Sequence, residues 1–445
     1  MEQKSQLATR ALFDAKTPRY SSYPSVSHFS PEVNSGLKRQ WLSSIPANSS
    51  ISIYLHVPFC RKLCWFCAYR TQSSQSDGPI RSYVEALKRE ISLVLQSLPP
   101  GTTVSRLHFG GGTPTILPED VFTDLCATLT SAIPLASDYE FAVEVDPNDV
   151  DLDRVAALQA AGVNSVSMGI QDFDPEVQAA IGRTLSFDRV SAVVEDLRAH
   201  HIGQLTFDVL YGLPHQTGPR LTDTLQMLLS LSPDRFSVCN YSHVPALARR
   251  QSMIPSEALP PPPDRLRLFE TAERLLQWDG YQPIGMDHFS RPDDRLAIAN
   301  RLGRLRRDFR GYSDDPNDVL IGLGASAVSR FPQGYCQNEI STSGYEQAIA
   351  GGHHATTRGH VFKNDDRLRG EMIERLLCDL HLSATSLARD LDMPVAVLDL
   401  YLDQIATGLS EMLQRDEHGI AIKPEARPFA RMIASRLDRY ALPAI

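Results

Sequence analysis

Three cysteines, Cys60, Cys64 and Cys67, fall within eight residues in a CxxxCxxC spacing, the strongest chemical signal in the chain. Thiolates are soft ligands suited to iron–sulfur clusters, and a four-iron cluster presents four iron corners. Three cysteines leave one corner open, as a cluster needs if it is to bind and reduce a small molecule. A zinc site is the alternative, but structural zinc takes four protein ligands, and the only nearby histidine is His56, before the motif. The other cysteines, Cys126, Cys239, Cys336 and Cys378, stand apart, and an odd total of seven is a poor disulfide framework. A second signal is the run Gly110-Gly-Gly-Thr-Pro-Thr115. Glycines let a backbone approach a ligand closely and point amides at a carboxylate, although the same run also suits an ordinary strand-to-helix turn.

These residues need a scaffold. From Ile51 onward, short β-branched and apolar runs alternate with helical patterns, which predicts repeated βα units and a parallel sheet. Strands are expected over 51–57, 104–109, 140–145, 165–170, 205–210 and 235–240, with a seventh over 282–288. Helices are expected over 81–98, where Tyr83, Val84, Leu87, Ile91, Val94, Leu95 and Leu98 recur at helical spacing, and over 189–200, capped by Ser186 or Asp188. The units are too few for an eight-stranded barrel, so the fold class is α/β, a partial (β/α)6-type barrel with ligands at the carboxyl ends of its strands. The cysteines follow the first strand and the glycines the second, on one rim.

Pro260 to Pro263 read as a stiff linker before a helix near Asp264. From about Lys363 short helices gather around Leu377, Leu380, Leu387, Leu391, Leu398, Leu402 and Leu409, a small helical or winged-helix-like module. The expected division is 1–48 as an N-terminal arm covering the active site, 49–360 as the catalytic barrel and 361–445 as a C-terminal helical domain.

With 42% hydrophobic and 22% charged residues, the 445-residue chain has the balance of a soluble globular protein. A formal charge of -9 argues against nucleic acid, whose nonspecific affinity comes from Lys and Arg. The C-terminal module is no exception, since between Cys378 and Glu417 acidic residues outnumber Arg389 and Arg415. No apolar run is long enough to span a bilayer and no secretory signal is evident, so a cytoplasmic location without membrane contact is expected.

The cysteine motif and the glycine turn resemble those of radical S-adenosylmethionine (SAM) enzymes. Further stretches, Tyr54-Leu-His-Val-Pro-Phe-Cys60, Leu107-His-Phe-Gly-Gly-Gly-Thr-Pro-Thr115, Glu144-Val-Asp-Pro147, Ser167-Met-Gly-Ile-Gln-Asp-Phe173 and Asp208-Val-Leu-Tyr-Gly-Leu-Pro214, resemble the oxygen-independent coproporphyrinogen III oxidase family. So do Arg19-Tyr-Ser-Ser-Tyr-Pro24 and Gly285-Met-Asp-His-Phe-Ser-Arg-Pro-Asp-Asp294, which separate the oxidase from haem-delivery proteins of the same family, the alternative reading. The resemblance implies oxidative decarboxylation of two propionates of coproporphyrinogen III to vinyl groups, giving protoporphyrinogen IX in haem biosynthesis. A reduced 4Fe-4S cluster on Cys60, Cys64 and Cys67 splits SAM, and the resulting 5'-deoxyadenosyl radical removes a propionate hydrogen. Two SAM molecules are implied. Tyr54, Gly111, Glu144 and Val328 match the contacts of the cluster-bound one, and Phe66, Gly112, Thr113, Gln171, Arg183, Asp208 and Ser242 those of the second. Glu144 and Asp208 suit ribose hydroxyls, and Arg183 a methionine carboxylate. No side chain is implied as an acid or base. An electron donor of the flavodoxin or ferredoxin type and a monomeric protein complete the expectation.

At one position the resemblance departs from the family pattern. The family usually has a fourth cysteine two residues after the third, where this chain has Tyr69. Cluster assembly should survive, while a tyrosine there crowds the second cofactor position, as in a paralogue with weakened activity. A substrate with four carboxylates needs positive charge, for which the run Arg301, Arg304, Arg306, Arg307 and Arg310 is the first candidate, with His288 and Arg291 as alternatives. Tyr20 and Tyr23 lie on the arm, where they would shield radicals from water.

Overall fold

The β-branched and aromatic run Ser50–Val57 forms the first strand, β1, from which a sheet grows in both directions. The structure, a computed structural model, describes residues 17–440, so the ends of the expected arm and C-terminal domain, 1–16 and 441–445, lie outside the described residues. On one side of β1 follow β2 (Thr103–Gly111), β3 (Leu135–Val145), β4 (Ser165–Gln171), β5 (Gln204–Tyr211) and β6 (Arg235–Asn240), every neighbouring pair parallel. Helices Gly78–Leu95, Glu119–Ala132, Leu152–Ala160, Phe187–Ala199 and Gly218–Ser230 lie in the crossovers. All six expected strands are present, β3 beginning at Leu135 rather than at 140.

β5 shows why the barrel is built this way. Leu205, Phe207, Val209 and Tyr211 are buried, while Gln204, Thr206, Asp208 and Leu210 between them are only partly so. The buried set joins the main core, and the alternate set, Asp208 included, is left for the inner face.

The expected seventh strand is a correction. Residues 282–288 do not extend as one strand but turn at Gly285 (φ 52°), giving β7 (Gln282–Ile284) and β8 (His288–Ser290). β8 pairs antiparallel with β6 and with β7, and the Met286 N–H in the turn donates to the Tyr312 hydroxyl at 3.0 Å. At the other edge, β9 (Leu320–Leu323) runs parallel to β1, and β10 (Val328–Phe331), β11 (Gly334–Asn338) and β12 (Thr356–Val361) continue antiparallel. The resulting twelve-stranded sheet, β12-β11-β10-β9-β1-β2-β3-β4-β5-β6-β8-β7, does not close on itself.

Helix boundaries moved slightly. The helix expected over 81–98 spans Gly78–Leu95, and Phe187–Ala199 is capped by the Ser186 hydroxyl, which accepts from the Arg189 N–H at 3.3 Å. Helix Pro262–Trp278 starts inside the proline run, so Pro262 and Pro263 form its first turn, where a missing N–H costs nothing; only Pro260 and Pro261 connect. Beyond 361, helices Asp366–Cys378, Ala384–Leu391 and Val395–Ala406 are joined by a three-stranded antiparallel sheet of His381–Ser383, Gly419–Ile422 and Leu413–Arg415. Strands of three or four residues are too short for an alternating pattern to register, so of the helical or winged-helix-like module expected here only the helices could be read from the sequence. Leu377, Leu387, Leu398, Leu402 and Leu409 share one core with Tyr20 and Tyr23 of the arm and with Ile284 and Met286. No helix of the described residues is long and apolar enough to cross a membrane.

The edge β9–β12 is fastened through Glu90 on helix Gly78–Leu95, which is fully buried. Its carboxylate accepts from Gly324 N (2.7 Å), Tyr345 Oη (2.8 Å) and Asn338 Nδ2 (2.7 Å), and the equally buried Lys38 Nζ lies at 3.5 Å. Removing the cation leaves a buried carboxylate uncompensated. Lys38→Met should lower stability by about 3–5 kcal/mol in urea unfolding, and adding Glu90→Gln should restore a large part of the loss.

Candidate functional site

The cysteine loop leaves the carboxyl end of β1 and is held at several points. Phe59–Cys60 forms a two-residue parallel ladder with Gln72–Ser73, and the Ser74 N–H donates to the Cys60 carbonyl at 3.1 Å. The N–H groups of Gly112 and Thr113 donate to the carbonyls of Val57 and Phe59, each at 2.8 Å. A Cβ at Gly112 would lie 2.4 Å from the Phe59 oxygen, so only glycine lets the two loops meet. On the far side the Trp65 N–H donates to the Ile181 carbonyl at 3.1 Å, and Arg250 donates to the Thr71 hydroxyl at 2.8 Å.

Burial pushes the Cys60 thiol up to about 11 against a hydrogen bond with Thr113, and raises Cys67 as well. Cys64 and Cys67 add a smaller upward push on Cys60, and Cys64 one on Cys67. Among the described residues no three His, Cys, Asp or Glu side chains are gathered tightly enough to count as a closed metal-binding group. The donor set is thiol only. Its chemistry suits iron–sulfur ligation, and binding would release the protons that burial retains.

Beside the thiols, the inward faces of β1, β2 and β3 meet. Tyr54 Oη lies 3.0 Å from His56 Nδ1, the Tyr54 ring is 5.6 Å from His108, and His108 Nε2 is 3.1 Å from Glu144 Oε1. The Gly111 N–H donates to Glu144 Oε2 at 3.0 Å. Gly111 has φ 109°, and the His56 ring fills the place a Cβ would take. Burial opposes the Glu144 charge, yet His108 and the Gly111 N–H hold its carboxyl below the ordinary carboxylate value. Burial brings His56 down to about 4, so at neutral pH its imidazole is uncharged. Val328 reaches the same place from β10, its carbonyl packed on Gly322, which pairs with Tyr54. The positions expected around the first SAM, Tyr54, Gly111, Glu144 and Val328, are therefore contiguous.

Those expected around the second run along the rim of β2 to β6. Gln251 Nε2 donates to the Phe66 carbonyl at 2.9 Å and to the Ser242 carbonyl at 3.1 Å, joining the cysteine loop to the segment after β6. Gly169 on β4 pairs in register with Asp208, and Asp208 with Ser237. Gln171 ends β4 with φ 72° and a buried Oε1 that has no hydrogen-bond partner. Arg183 differs from expectation. Its guanidinium is clamped on Asp146 (2.8 and 3.1 Å) and on the Gly169 carbonyl (2.6 Å), with Cys64 Sγ at 3.5 Å, so it already holds a carboxylate of this chain. Tyr69 is 65% accessible although its charge neighbours are Arg19, Glu144, Cys239 and Cys67. A side chain so exposed among barrel residues stands in the open chamber and not on the outer surface. Glu144, with 39% of its side chain accessible, faces the same space.

The arginine run separates on folding. Arg306 pairs with Glu374 (2.9 Å), Arg310 with Asp308 and Asp315 (2.5 and 2.8 Å), and Arg301 reaches Gln282 and Pro292 at the exposed surface. Arg307 lies over the Tyr312 ring, half-buried and, among the described residues, without a carboxylate bonded to it. His288 is held by Asp287, Nδ1 to Oδ1 2.8 Å, and Arg291 lies over the Tyr281 ring. Sequence reasoning missed His108 and Asp146 as site residues, though strand alternation puts His108 on the same face of β2 as Gly110. Four buried polar atoms lack partners here, His56 Nε2, Gln171 Oε1 and Asn240 Oδ1 at carboxyl ends of strands and Arg183 Nε after helix Pro175–Ile181, so the rim fits a polar ligand.

Burial pushes the Asp208 carboxyl up to about 6 in spite of His288. The folded chain holds this proton more tightly than the unfolded one, so its contribution is complete below pH 3.8 and lost as pH rises through 6. Asp208→Asn should therefore gain on the parent protein between about pH 4 and about pH 7 by on the order of 2 kcal/mol, measured by urea unfolding at each pH.

Residues 54–228 match the model of the radical SAM superfamily. The oxygen-independent coproporphyrinogen III oxidase of Paracoccus denitrificans is 50% identical over 444 residues, covering 100% of this chain and 98% of that protein. The protein of the same name from Cereibacter sphaeroides is 50% identical over 436 residues, 98% of this chain and 97% of that one. The solved coproporphyrinogen III oxidase of Escherichia coli, a radical SAM enzyme, aligns with a TM-score of 0.90 at 34% identity, covering 95% of this chain and 97% of its own. The likeness takes in the partial barrel and everything attached to it, and with it the use of a 4Fe-4S cluster and SAM by an oxidoreductase. By sequence from end to end and by fold, the chain belongs to the oxygen-independent coproporphyrinogen III oxidase family.

Proposed function

We propose that the protein converts two propionates of coproporphyrinogen III to vinyl groups, giving protoporphyrinogen IX without dioxygen. The observation that carries this reading is 50% identity across the whole chain to a protein of that name, with no segment of either left over beyond a few residues. Cys60, Cys64 and Cys67 would hold the cluster. Bound there with SAM, it supplies one-electron cleavage of the sulfonium to a carbon radical able to take a propionate hydrogen.

The chain's own residues bind, orient and exclude water. Tyr54, Gly111, Glu144 and Val328 surround the first SAM, Glu144 kept anionic by His108 and the Gly111 N–H. Phe66, Gly112, Thr113, Gln171, Arg183, Asp208 and Ser242 border a second SAM, with Arg183 acting through Asp146 and Cys64 as well as toward a ligand. Neutral His56, next to the thiols, adds no charge where a radical forms. The arm up to residue 48 closes one side through Tyr20 and Tyr23, the barrel follows to 360, and the remainder seals it. The protein works as a cytoplasmic monomer reduced by a flavodoxin- or ferredoxin-type donor.

The test is anaerobic turnover. Reconstituted, reduced protein given SAM and coproporphyrinogen III should release 5'-deoxyadenosine and form protoporphyrinogen IX, and Cys64→Ser should abolish both. Release of 5'-deoxyadenosine with no porphyrinogen product would refute the substrate. Because Tyr69 occupies open chamber and not packed core, Tyr69→Cys should raise turnover while leaving iron content unchanged.

A further inference from the structure

Positive charge that is not neutralised within the protein collects at one end of the barrel mouth. Arg427, in the 3-10 turn Pro424–Phe429, grips the carbonyls of Gly285 (2.7 Å) and His288 (2.9 Å) and the Glu273 carboxylate (2.6 Å), fixing the C-terminal segment on the β7–β8 turn. One turn later, among the described residues, the guanidinium of Arg431 makes no ion pair or hydrogen bond. Its charge neighbours are Arg19, Arg307, Tyr211 and Asp287. Arg307 donates to the Tyr20 carbonyl at 3.1 Å and keeps a buried Nε without a partner. Among the described residues the Arg19 guanidinium donates only to the Asn240 carbonyl, at 3.4 Å, beside the unpartnered Asn240 Oδ1.

Arg307 and Arg431 thus share one carboxylate, Asp287, which His288 already engages, and Arg19 adds a third positive charge next to Arg431. The contrast with the rest of the molecule is clear. Carboxylates raise the pKa values of the paired Arg306 and Arg310 in spite of burial, whereas burial and the cations Arg19 and Arg307 lower that of Arg431. Arg19 is exposed and Arg307 and Arg431 are half-buried; half-buried cations short of counter-charge are costly, and a ligand with several carboxylates relieves the cost. Residues from the arm, β5, β6, the β7–β8 turn, the 306–313 hairpin and the last helix all contribute, as in a site assembled around a ligand.

We propose that Arg19, Arg307 and Arg431 form the anion site that receives propionate carboxylates of the tetrapyrrole, a subsite lying at the β6 end of the mouth. The assignment rests on the substrate reading above. The methionine carboxylate of SAM has the same chemistry, so the test must separate the two.

Coproporphyrin III, the air-stable fluorescent tetracarboxylate, is titrated into the full-length protein and into Arg431→Gln, Arg307→Gln and Arg431→Lys. Each glutamine variant should bind about tenfold more weakly, a typical effect of losing one charge-assisted contact, and the lysine variant should fall between. Coproporphyrin III tetramethyl ester, with no carboxylates, should bind parent and variants alike, and added salt should weaken the parent more steeply than Arg431→Gln. Affinity for SAM should not change. Equal coproporphyrin affinity in parent and glutamine variants with equal melting temperatures would overturn the subsite and leave the substrate reading standing. So would weaker SAM binding with unchanged coproporphyrin binding. Equal loss of the ester would mark the arginines as structural, and a parent protein that binds no coproporphyrin would overturn both readings.

Discussion

Helix Gly78–Leu95 bolts the site together, and the rest of the structure depends on that bolt. The Tyr83 hydroxyl donates to the His56 carbonyl and accepts from the Ala325 N–H, both at 2.8 Å, while Glu90 on the same helix takes the Gly324 N–H. The carboxyl end of β1 and the loop after β9 are thereby tied to one rigid element. The cysteine loop leaves from the first, and Val328 hangs from the second. A buried carboxylate is unfavourable unless nearly every lone pair is used, and Glu90 meets that condition with three hydrogen-bond donors and Lys38 drawn from separate parts of the chain. The geometry at the mouth is thus set on the outer side of the sheet, away from the chemistry.

Much of the catalytic half was legible because its physics is local. Strands β1 to β6 are β-branched runs alternating with helices of good periodicity, and the cysteine and glycine loops follow β1 and β2 directly. Legibility ended where contacts are long-range. Strands β9 to β12 are short and joined by turns, so nothing in their own composition shows that β9 lies beside β1. The 282–288 segment has strand composition but turns at Gly285, because Tyr312 and Arg427, distant in sequence, claim its backbone. The arginine run failed for a related reason: carboxylates such as Glu374 and Asp315 decide which arginines remain free, and the run itself does not record them. Arg183 was found, but its partner Asp146 was not.

Charge divides the barrel mouth along the strand order. At the β1 end, burial keeps Cys60 and Cys67 protonated and His56 neutral, and the Arg183 guanidinium beside Cys64 is balanced by Asp146. Glu144 in the middle stays anionic through two hydrogen bonds. Past β6 the guanidinium groups dominate. If the proposed sites hold, a ligand rich in carboxylates and a positively charged sulfonium would be drawn to different parts of the same chamber.

The grip of Arg427 on the β7–β8 turn, the bond from the Tyr20 hydroxyl to Asp438 (3.0 Å) and that from the Arg439 N–H to the Tyr23 hydroxyl (3.2 Å) join the two ends of the chain across the mouth. The parallel strands of the sheet are all made by residue 323, yet the wall of the chamber is finished only by residues 427–439. During synthesis the mouth is therefore the last region to be enclosed. The thiols, among the earliest parts of the barrel to emerge, face an open doorway until residues 427–439 have been added.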